Sequence, residues 1–172
     1  NPYGAWPGLD LPKDLFNEIA HYPESDSKLK QAIAGYYSKD VTLTEDNITL
    51  TCGSIGAVLA LNRMTLREGK IVLGIAPQFS AVVDDFVTYD CDYRPVYLKK
   101  EENYKFNLGG FLTELRKYHT TYIYIDNPNN PTGQIMPIEE IEEIVKEAIE
   151  RNSFVVIDEA YGDYMDNGTS AI

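Results

Sequence analysis

The fold is decided by two stretches, YIYIDNPNNPTG (residues 122–133) and FVVIDEAY (residues 154–161), which a helical pattern separates. In each stretch a polar motif follows an apolar run rich in β-branched residues and tyrosine, and such a run is typical of a buried strand. Ligands of open α/β sheets bind just beyond the carboxyl ends of the strands. We therefore expect Asn130, Asp158 and Tyr161 to meet at one crevice.

Strand and helix patterns alternate along most of the chain. The predicted strands are residues 47–51, 70–75, 93–98, 121–125 and 154–157, and the predicted helices are residues 13–22, 27–37, 53–66, 79–87, 111–119 and 138–150. Ahead of them, residues 1–12 are rich in Pro and Gly and predict an irregular arm. The alternation is typical of parallel βαβ units with helices on both faces of a sheet. We therefore predict an α/β fold with three α/β/α layers and a mostly parallel sheet.

Composition argues against several classes of partner. The net charge of −12 is unfavourable for a nucleic-acid groove or an anionic membrane surface. No apolar run reaches the length of a membrane span. The two cysteines and two histidines show no metal-binding spacing. We therefore expect a cytoplasmic globular protein that binds small molecules, with no metal site, no nucleic acid and no membrane.

The acid, amide and phenol expected at the crevice suit one kind of ligand. A planar heteroaromatic cofactor needs a negative partner for its ring nitrogen and hydrogen-bond donors for its ring oxygen, and pyridoxal phosphate has both groups. A carboxylate at the end of an apolar strand, such as Asp158, must be paired or its pKa rises. A protonated pyridine nitrogen is a suitable partner.

The run FVVIDEA also matches the strand-plus-acid pattern of P-loop ATPases. That alternative requires a phosphate loop of the form GxxxxGK[ST]. The only Gly-Lys pair, Gly69-Lys70, is followed by Ile71. The sequence therefore favours pyridoxal phosphate over ATP.

Four motifs, NPNNPTG, DEAY, CGSIGA and the opening NPYG, together resemble the fold-type I pyridoxal-phosphate aminotransferases, most closely the histidinol-phosphate aminotransferase branch. The resemblance covers nearly the whole chain. It implies an N-terminal arm and helices in residues 1–40 and an incomplete large, cofactor-binding domain in residues 41–172. The family's Schiff-base lysine lies downstream of DEAY, whereas the last lysine here is Lys146. We therefore expect the chain to be part of a longer enzyme and inactive by itself.

The resemblance implies roles for the residues that face the cofactor ring. Asp158 would keep the ring nitrogen protonated, while Asn130 and Tyr161 would donate hydrogen bonds to the phenolic oxygen. Phe79 matches an aromatic residue that stacks on the pyridine ring, and an ordinary core position is the alternative for it.

The phosphate of the cofactor is expected at the turn made by Gly53, Ser54 and Ile55. The turn joins a strand to a helix, so backbone N–H groups and the helix dipole favour an anion there. The sequence departs from the family's commoner pattern at Ile55 and Gly56, which leaves side-chain donation to Ser54.

Further contacts are expected from a second subunit. Tyr22 matches a tyrosine that reaches the neighbouring subunit's phosphate, and the segment with Tyr3 and Gly4 resembles one that the partner lends to the substrate. The resemblance thus implies a homodimer with shared active sites. The implied reaction moves an amino group between an amino acid, or an amine like histidinol phosphate, and a 2-oxo acid.

Two alternatives stay open. A decarboxylase or C–S lyase of the same fold shares the cofactor motifs, and a lysine-less binding module would share them without catalysis. The sequence does not reveal the amino donor.

Overall fold

The computed structural model describes residues 26–38, 41–166 and 169–172. Contacts divide the chain into two compact units, residues 1–50 and residues 51–172. The predicted division between residues 40 and 41 stays a prediction. The predicted arm and the predicted helix at residues 13–22 lie outside the described residues.

The described part of the first unit holds one helix, α1 (Ser27–Tyr37), and a 3-10 turn (Glu45–Asn47). The two elements are joined through the Glu45 carboxylate. It accepts a hydrogen bond from Gln31 Nε2 at 2.6 Å and another from the Ser27 hydroxyl. The helix has the bounds predicted from its apolar periodicity, residues 27–37.

The prediction of a strand at residues 47–51 is wrong, because the structure has no strand there. Asn47 instead closes the 3-10 turn, because its backbone N–H donates to Thr44 O at 3.0 Å and its Oδ1 accepts from Thr44 N at 3.0 Å. Ile48 has extended dihedral angles, φ −118° and ψ 124°. However, no described strand pairs with this segment, and extended backbone becomes a strand only when a neighbour completes its hydrogen bonds.

The second unit contains a four-stranded parallel sheet with the strand order β2-β1-β3-β4. Its strands are β1 (Ile71–Ala76), β2 (Asp92–Tyr97), β3 (Thr120–Asp126) and β4 (Phe154–Asp158). Its helices are α2 (Gly53–Thr65), α3 (Ser80–Thr88), α4 (Leu108–Lys117) and α5 (Ile138–Glu150), with 3-10 turns at Lys100–Glu102 and Gly162–Tyr164. The predicted α/β/α fold with a parallel sheet is confirmed. Across the described ranges, no helix combines the length and apolar character that a membrane crossing needs.

The alternation of side chains along β3 builds a separate core on each face of the sheet. Tyr122 and Tyr124 point to one face, which α2 and α3 cover through residues such as Val58 and Phe86. We refer to this side as the tyrosine face. Ile123 and Ile125 point to the other face, which α4 and α5 cover. Because β3 is central and both faces are covered, its side chains are nearly all buried.

Two buried polar side chains on the tyrosine face, Tyr122 and Asn62, are paired with each other. Tyr122 donates to Asn62 Oδ1 at 2.6 Å, and the Asn62 amide donates to Asp85 Oδ2 at 2.7 Å. Burial raises the pKa of the Tyr122 phenol, and the Asp85 carboxylate acts in the same direction. The phenol therefore stays neutral and remains a hydrogen-bond donor.

On the opposite face, Glu147 of α5 joins α4 to α5. Its carboxylate accepts from Arg116 at 2.6 Å and from Arg151 at 2.6 Å, and these two bonds lower the pKa of Glu147 to about 2 from an ordinary value of 4.5. The pKa of Glu147 is lower in the folded protein than in the unfolded chain. Its ionised carboxylate therefore makes its full contribution to stability at any pH above the pKa of the unfolded chain. That contribution is lost as the pH falls from about 4.5 to about 2.

We expect Glu147→Gln to lower the urea midpoint of unfolding at neutral pH. The difference from the unmodified protein should shrink between pH 5 and pH 2, because protonation removes the same ion pairs there. Glu142→Gln is the matched control, since the described ion pair of Glu142 is with exposed Lys146 in the same helix, and such a pair contributes little. A difference that stays constant with pH would contradict the role given to Glu147.

Candidate functional site

The carboxyl ends of β3 and β4 place two acids side by side. Asp126 and Asp158 are partners in the register of the two strands, and Asn127 N donates to Asp158 O at 2.9 Å just beyond them. Each acid stands two residues after a side chain of the tyrosine face, Tyr124 and Val156 respectively. Both carboxylates therefore belong to that face of the sheet.

Asp158 is held from two sides and remains partly exposed. Its Oδ2 accepts from the Tyr124 hydroxyl at 2.8 Å, and its Oδ1 accepts from Ala160 N at 3.0 Å. Burial raises the pKa of the Tyr124 phenol, and the Asp158 carboxylate acts in the same direction, so Tyr124 remains a donor. A carboxylate oxygen can accept more than one hydrogen bond. Asp158 is thus oriented and still able to bind a further donor.

Asn130 lies in the turn after β3, and its backbone is fixed by Asp126. Asn130 N donates to Asp126 Oδ2 at 2.9 Å. The turn is closed by Gly133 N, which donates to Asn129 O at 2.8 Å. The Asn130 carboxamide has no hydrogen-bond partner among the residues that the structure describes. Its backbone is anchored while its side chain is available to a ligand.

Sequence reasoning missed Asp126, although it ends YIYID just as Asp158 ends FVVID. The side chain is only 6% exposed. Its Oδ1 accepts from Asn129 Nδ2 at 2.9 Å and from Gln78 Nε2 at 3.4 Å. The repeated strand-plus-Asp pattern is the signal that could have found it.

The turn at Gly53 begins α2, and among the described residues Gly53 N donates to Thr51 O at 2.9 Å. Gly53 has φ +73°, in the left-handed region that favours glycine. The N-cap residue Cys52 makes no side-chain hydrogen bond, and the first turn of α2 has no acidic residue. The first N–H groups of a helix have no partner within the helix, so those of Ser54 and Ile55 are open to an anion.

Phe79 and Tyr161 follow β1 and β4. Phe79 stands just before α3 and packs against the tyrosine face with part of its surface exposed. Ile55 packs against the same cluster. Tyr161 is 48% exposed, and its ring lies 6.4 Å from the ring of Tyr164. Phe79, Asn130 and Asp158 therefore lie at or just beyond the carboxyl ends of three neighbouring strands, β1, β3 and β4.

The predicted contacts from a second subunit cannot be placed. Tyr3, Gly4 and Tyr22 lie outside the described residues. Their assigned roles stay predictions.

The family model described as "Aminotransferase class I and II" matches residues 10–172. The chain belongs to this family. Curated proteins similar to it include the histidinol-phosphate aminotransferase of Ruminiclostridium cellulolyticum, 32% identical over 146 residues, which are 84% of this chain and 39% of that protein. The histidinol-phosphate aminotransferase of Haloquadratum walsbyi is 30% identical over 169 residues, which are 97% of this chain and 43% of that protein.

A solved aminotransferase structure has the same fold. Histidinol-phosphate aminotransferase from Sinorhizobium meliloti, crystallised in complex with pyridoxal-5'-phosphate, superposes with a TM-score of 0.76 at 20% identity, over 89% of this chain and 40% of that one. The chain thus spans about 40% of the length of the relatives that it matches.

Proposed function

We propose that this chain forms the cofactor-binding part of a pyridoxal-phosphate-dependent aminotransferase. The observation that carries the proposal is the placement of Phe79, Asn130 and Asp158 at or just beyond the carboxyl ends of three neighbouring parallel strands in a chain of the class I and II family. An aromatic ring, an amide and a carboxylate are the groups that a pyridine ring with a phenolic oxygen requires.

The donor set fits the cofactor. Asp158 keeps acceptor capacity after binding Tyr124 and Ala160, so it can hold a proton on the ring nitrogen. Asn130 and Tyr161 can donate to the phenolic oxygen. When bound, pyridoxal phosphate supplies an electron sink for the pair released as the substrate Cα–H bond breaks.

Phosphate binding is assigned to the turn at Gly53. The backbone N–H groups of Ser54 and Ile55 would donate to phosphate oxygens, and the Ser54 hydroxyl would add a side-chain donor. The uncapped start of α2 supports this assignment, because an anion favours the positive end of a helix.

Gly53→Ala is expected to weaken cofactor binding beyond its effect on folding. The left-handed φ costs a non-glycine residue roughly 1–2 kcal/mol, and any shift of the turn re-aims the N–H groups. Gly69→Ala is the matched control, because Gly69 also has φ +73° and open space around its Cβ position, yet it precedes β1 at the other end of the strand. We expect similar losses of stability in the two variants and a raised Kd for pyridoxal phosphate only with Gly53→Ala. Equal Kd values would contradict the phosphate assignment.

For the substrates, we propose that the amine resembles histidinol phosphate and that a 2-oxo acid accepts the amino group. The support comes from relatives that are named histidinol-phosphate aminotransferases. We also propose a homodimer in which Tyr22, Tyr3 and Gly4 of one subunit serve the site of the other. The Schiff-base lysine is proposed to follow Tyr161 in the whole enzyme.

The decisive experiment is a half-reaction with the whole enzyme. The purified protein, loaded with pyridoxal phosphate, is mixed with histidinol phosphate and with a panel of amino acids, and the absorption of the cofactor is followed. Conversion to the pyridoxamine form by at least one amine, with release of the matching carbonyl product, supports the proposal. Release of CO₂ or of a thiol instead would favour the decarboxylase or lyase alternative. Absence of any binding of pyridoxal phosphate would contradict the proposal altogether.

A further inference from the structure

The buried carboxylate of Asp126 connects two segments that carry proposed site residues. From the turn after β3, Asn130 N and Asn129 Nδ2 each donate a hydrogen bond to this carboxylate at 2.9 Å. From the loop after β1, Gln78 Nε2 donates a hydrogen bond to it at 3.4 Å. Asn129 Nδ2 also donates to Pro77 O at 3.2 Å, so the two segments are joined twice.

The loop side of this connection is itself anchored to the sheet. The Tyr93 hydroxyl of β2 lies 2.6 Å from Gln78 Oε1 and 2.9 Å from Ile75 O. Gly74 of β1 makes room for it, since a Cβ there would lie 2.8 Å from Gln78 Oε1 and 3.1 Å from the Tyr93 ring. The hydrogen bonds to Tyr93 and Asp126 therefore fix the Gln78 side chain. Because Phe79 is the next residue, they also restrict the position of its backbone.

The chemistry at Asp126 favours a carboxylate over its neutral isostere. In the described part of the chain, the groups that hydrogen-bond to the two oxygens are donors: two side-chain amides at Oδ1 and a backbone N–H at Oδ2. An asparagine would offer one oxygen and one NH₂, so a donor would face a donor on one side. None of the described ion pairs includes Asp126, so the three donors are the described groups that offset the cost of burying its charge.

We propose that Asp126 is a positioning residue that fixes the direction of the Asn130 carboxamide and locks the Asn130 turn to the loop that carries Phe79. The inference rests on the proposed function. Asp126 acts through the Asn130 backbone and does not itself touch the cofactor. Burial raises the pKa of Asp126, and the donors from Asn129, Asn130 and Gln78 oppose that rise.

The test uses the whole enzyme with bound pyridoxal phosphate and follows the cofactor's absorption spectrum against pH. A hydrogen bond donated to the phenolic oxygen draws electron density from the conjugated system of the bound cofactor. The cofactor then loses its proton at lower pH, so the pH midpoint of its absorption change is lower when the bond is present. Asn130→Ala should therefore raise the pH midpoint by about one unit, since a hydrogen bond to a charged oxygen is worth at least this much. Asp126→Asn should raise it in the same direction.

A double-mutant cycle separates positioning from general loosening. In the Asn130→Ala background, Asp126→Asn should cause no further shift of the midpoint, because the residue acts through Asn130. Tyr122→Phe is the control, since it removes the buried bond to Asn62 on the same face and should leave the midpoint unchanged. If Asp126→Asn does not fold, Asn129→Leu removes the bonds to Asp126, Pro77 and Thr132 and should give a shift in the same direction.

Each outcome has a distinct meaning. Additive shifts, or a shift with Asn130→Ala but none with Asp126→Asn and Asn129→Leu, would overturn the positioning role and leave the proposed function standing. No shift with Asn130→Ala would overturn both the Asn130 assignment and this inference. No spectrum of bound cofactor in the unmodified enzyme would overturn the proposed function.

Discussion

Asp158→Asn in the whole enzyme should lower the rate of amino transfer by about 100- to 1,000-fold, the usual loss when one preorganised electrostatic group is removed from an active site. An amide cannot hold a proton on the ring nitrogen, so the electron sink is lost while the shape of the pocket persists. The fold should survive, because the side chain is partly exposed and the asparagine oxygen can still accept from Tyr124. Single-turnover kinetics with a reactive amine would measure the loss directly.

The matched control for that experiment is Asp163→Asn. Asp163 lies five residues further on, in the 3-10 turn after β4, and is exposed. The same change of acid to amide should leave the rate unaltered there. An Asp158→Asn variant that keeps nearly full activity would contradict the role of Asp158, and a variant that loses activity by unfolding would be recognised from its circular dichroism.

Phe86→Ala should destabilise the protein by about 3–5 kcal/mol, the usual cost of removing a fully buried phenylalanine. Phe86 of α3 is fully buried, and its ring centre lies 5.3 Å from that of Tyr93 and 6.1 Å from those of Tyr122 and Tyr124. It therefore fills the space between α3 and three tyrosines of the sheet. The loss should appear as a lower urea midpoint of the cofactor-free protein.

Phe154→Ala provides the comparison. Phe154 also contacts the Tyr122 ring, at 5.9 Å, but it is 44% exposed. Its removal leaves water where the ring was instead of a cavity, so the loss of stability should be well below that of Phe86→Ala. Equal losses in the two variants would contradict the account of the tyrosine face as the core that supports the site.

The sequence predicted the elements whose pattern is local. The runs that became β3 and β4 carry apolar side chains on both faces, and α5 shows an apolar stripe at helical spacing, so each could be recognised from its own residues. β2 was recognised despite Pro95, which a strand at the edge of the described sheet tolerates. The prediction of a strand at residues 47–51 was wrong, because a strand also needs a neighbouring strand to pair with and the composition of the segment does not reveal one.

Only part of the arrangement around the candidate site could be predicted from the sequence. Asp158 ends β4 and Asn130 lies in the turn after β3, and the rule that ligands bind beyond the carboxyl ends of parallel strands directs attention to both. Asp126 stands at a strand end too, but its function depends on donors from Gln78, Asn129 and Asn130, which only the folded chain assembles around it. Likewise, only the folded chain shows that the Asn130 backbone is bonded to Asp126 while its carboxamide has no hydrogen-bond partner among the described residues.

The most direct test of the central claim is a crystal structure of the whole enzyme with pyridoxal phosphate. We predict that the pyridine nitrogen lies within hydrogen-bonding distance of Asp158, that the phenolic oxygen accepts from Asn130 and Tyr161, and that the phosphate contacts the N–H groups of Ser54 and Ile55. A cofactor bound elsewhere, or a pyridine nitrogen without contact to Asp158, would contradict the account.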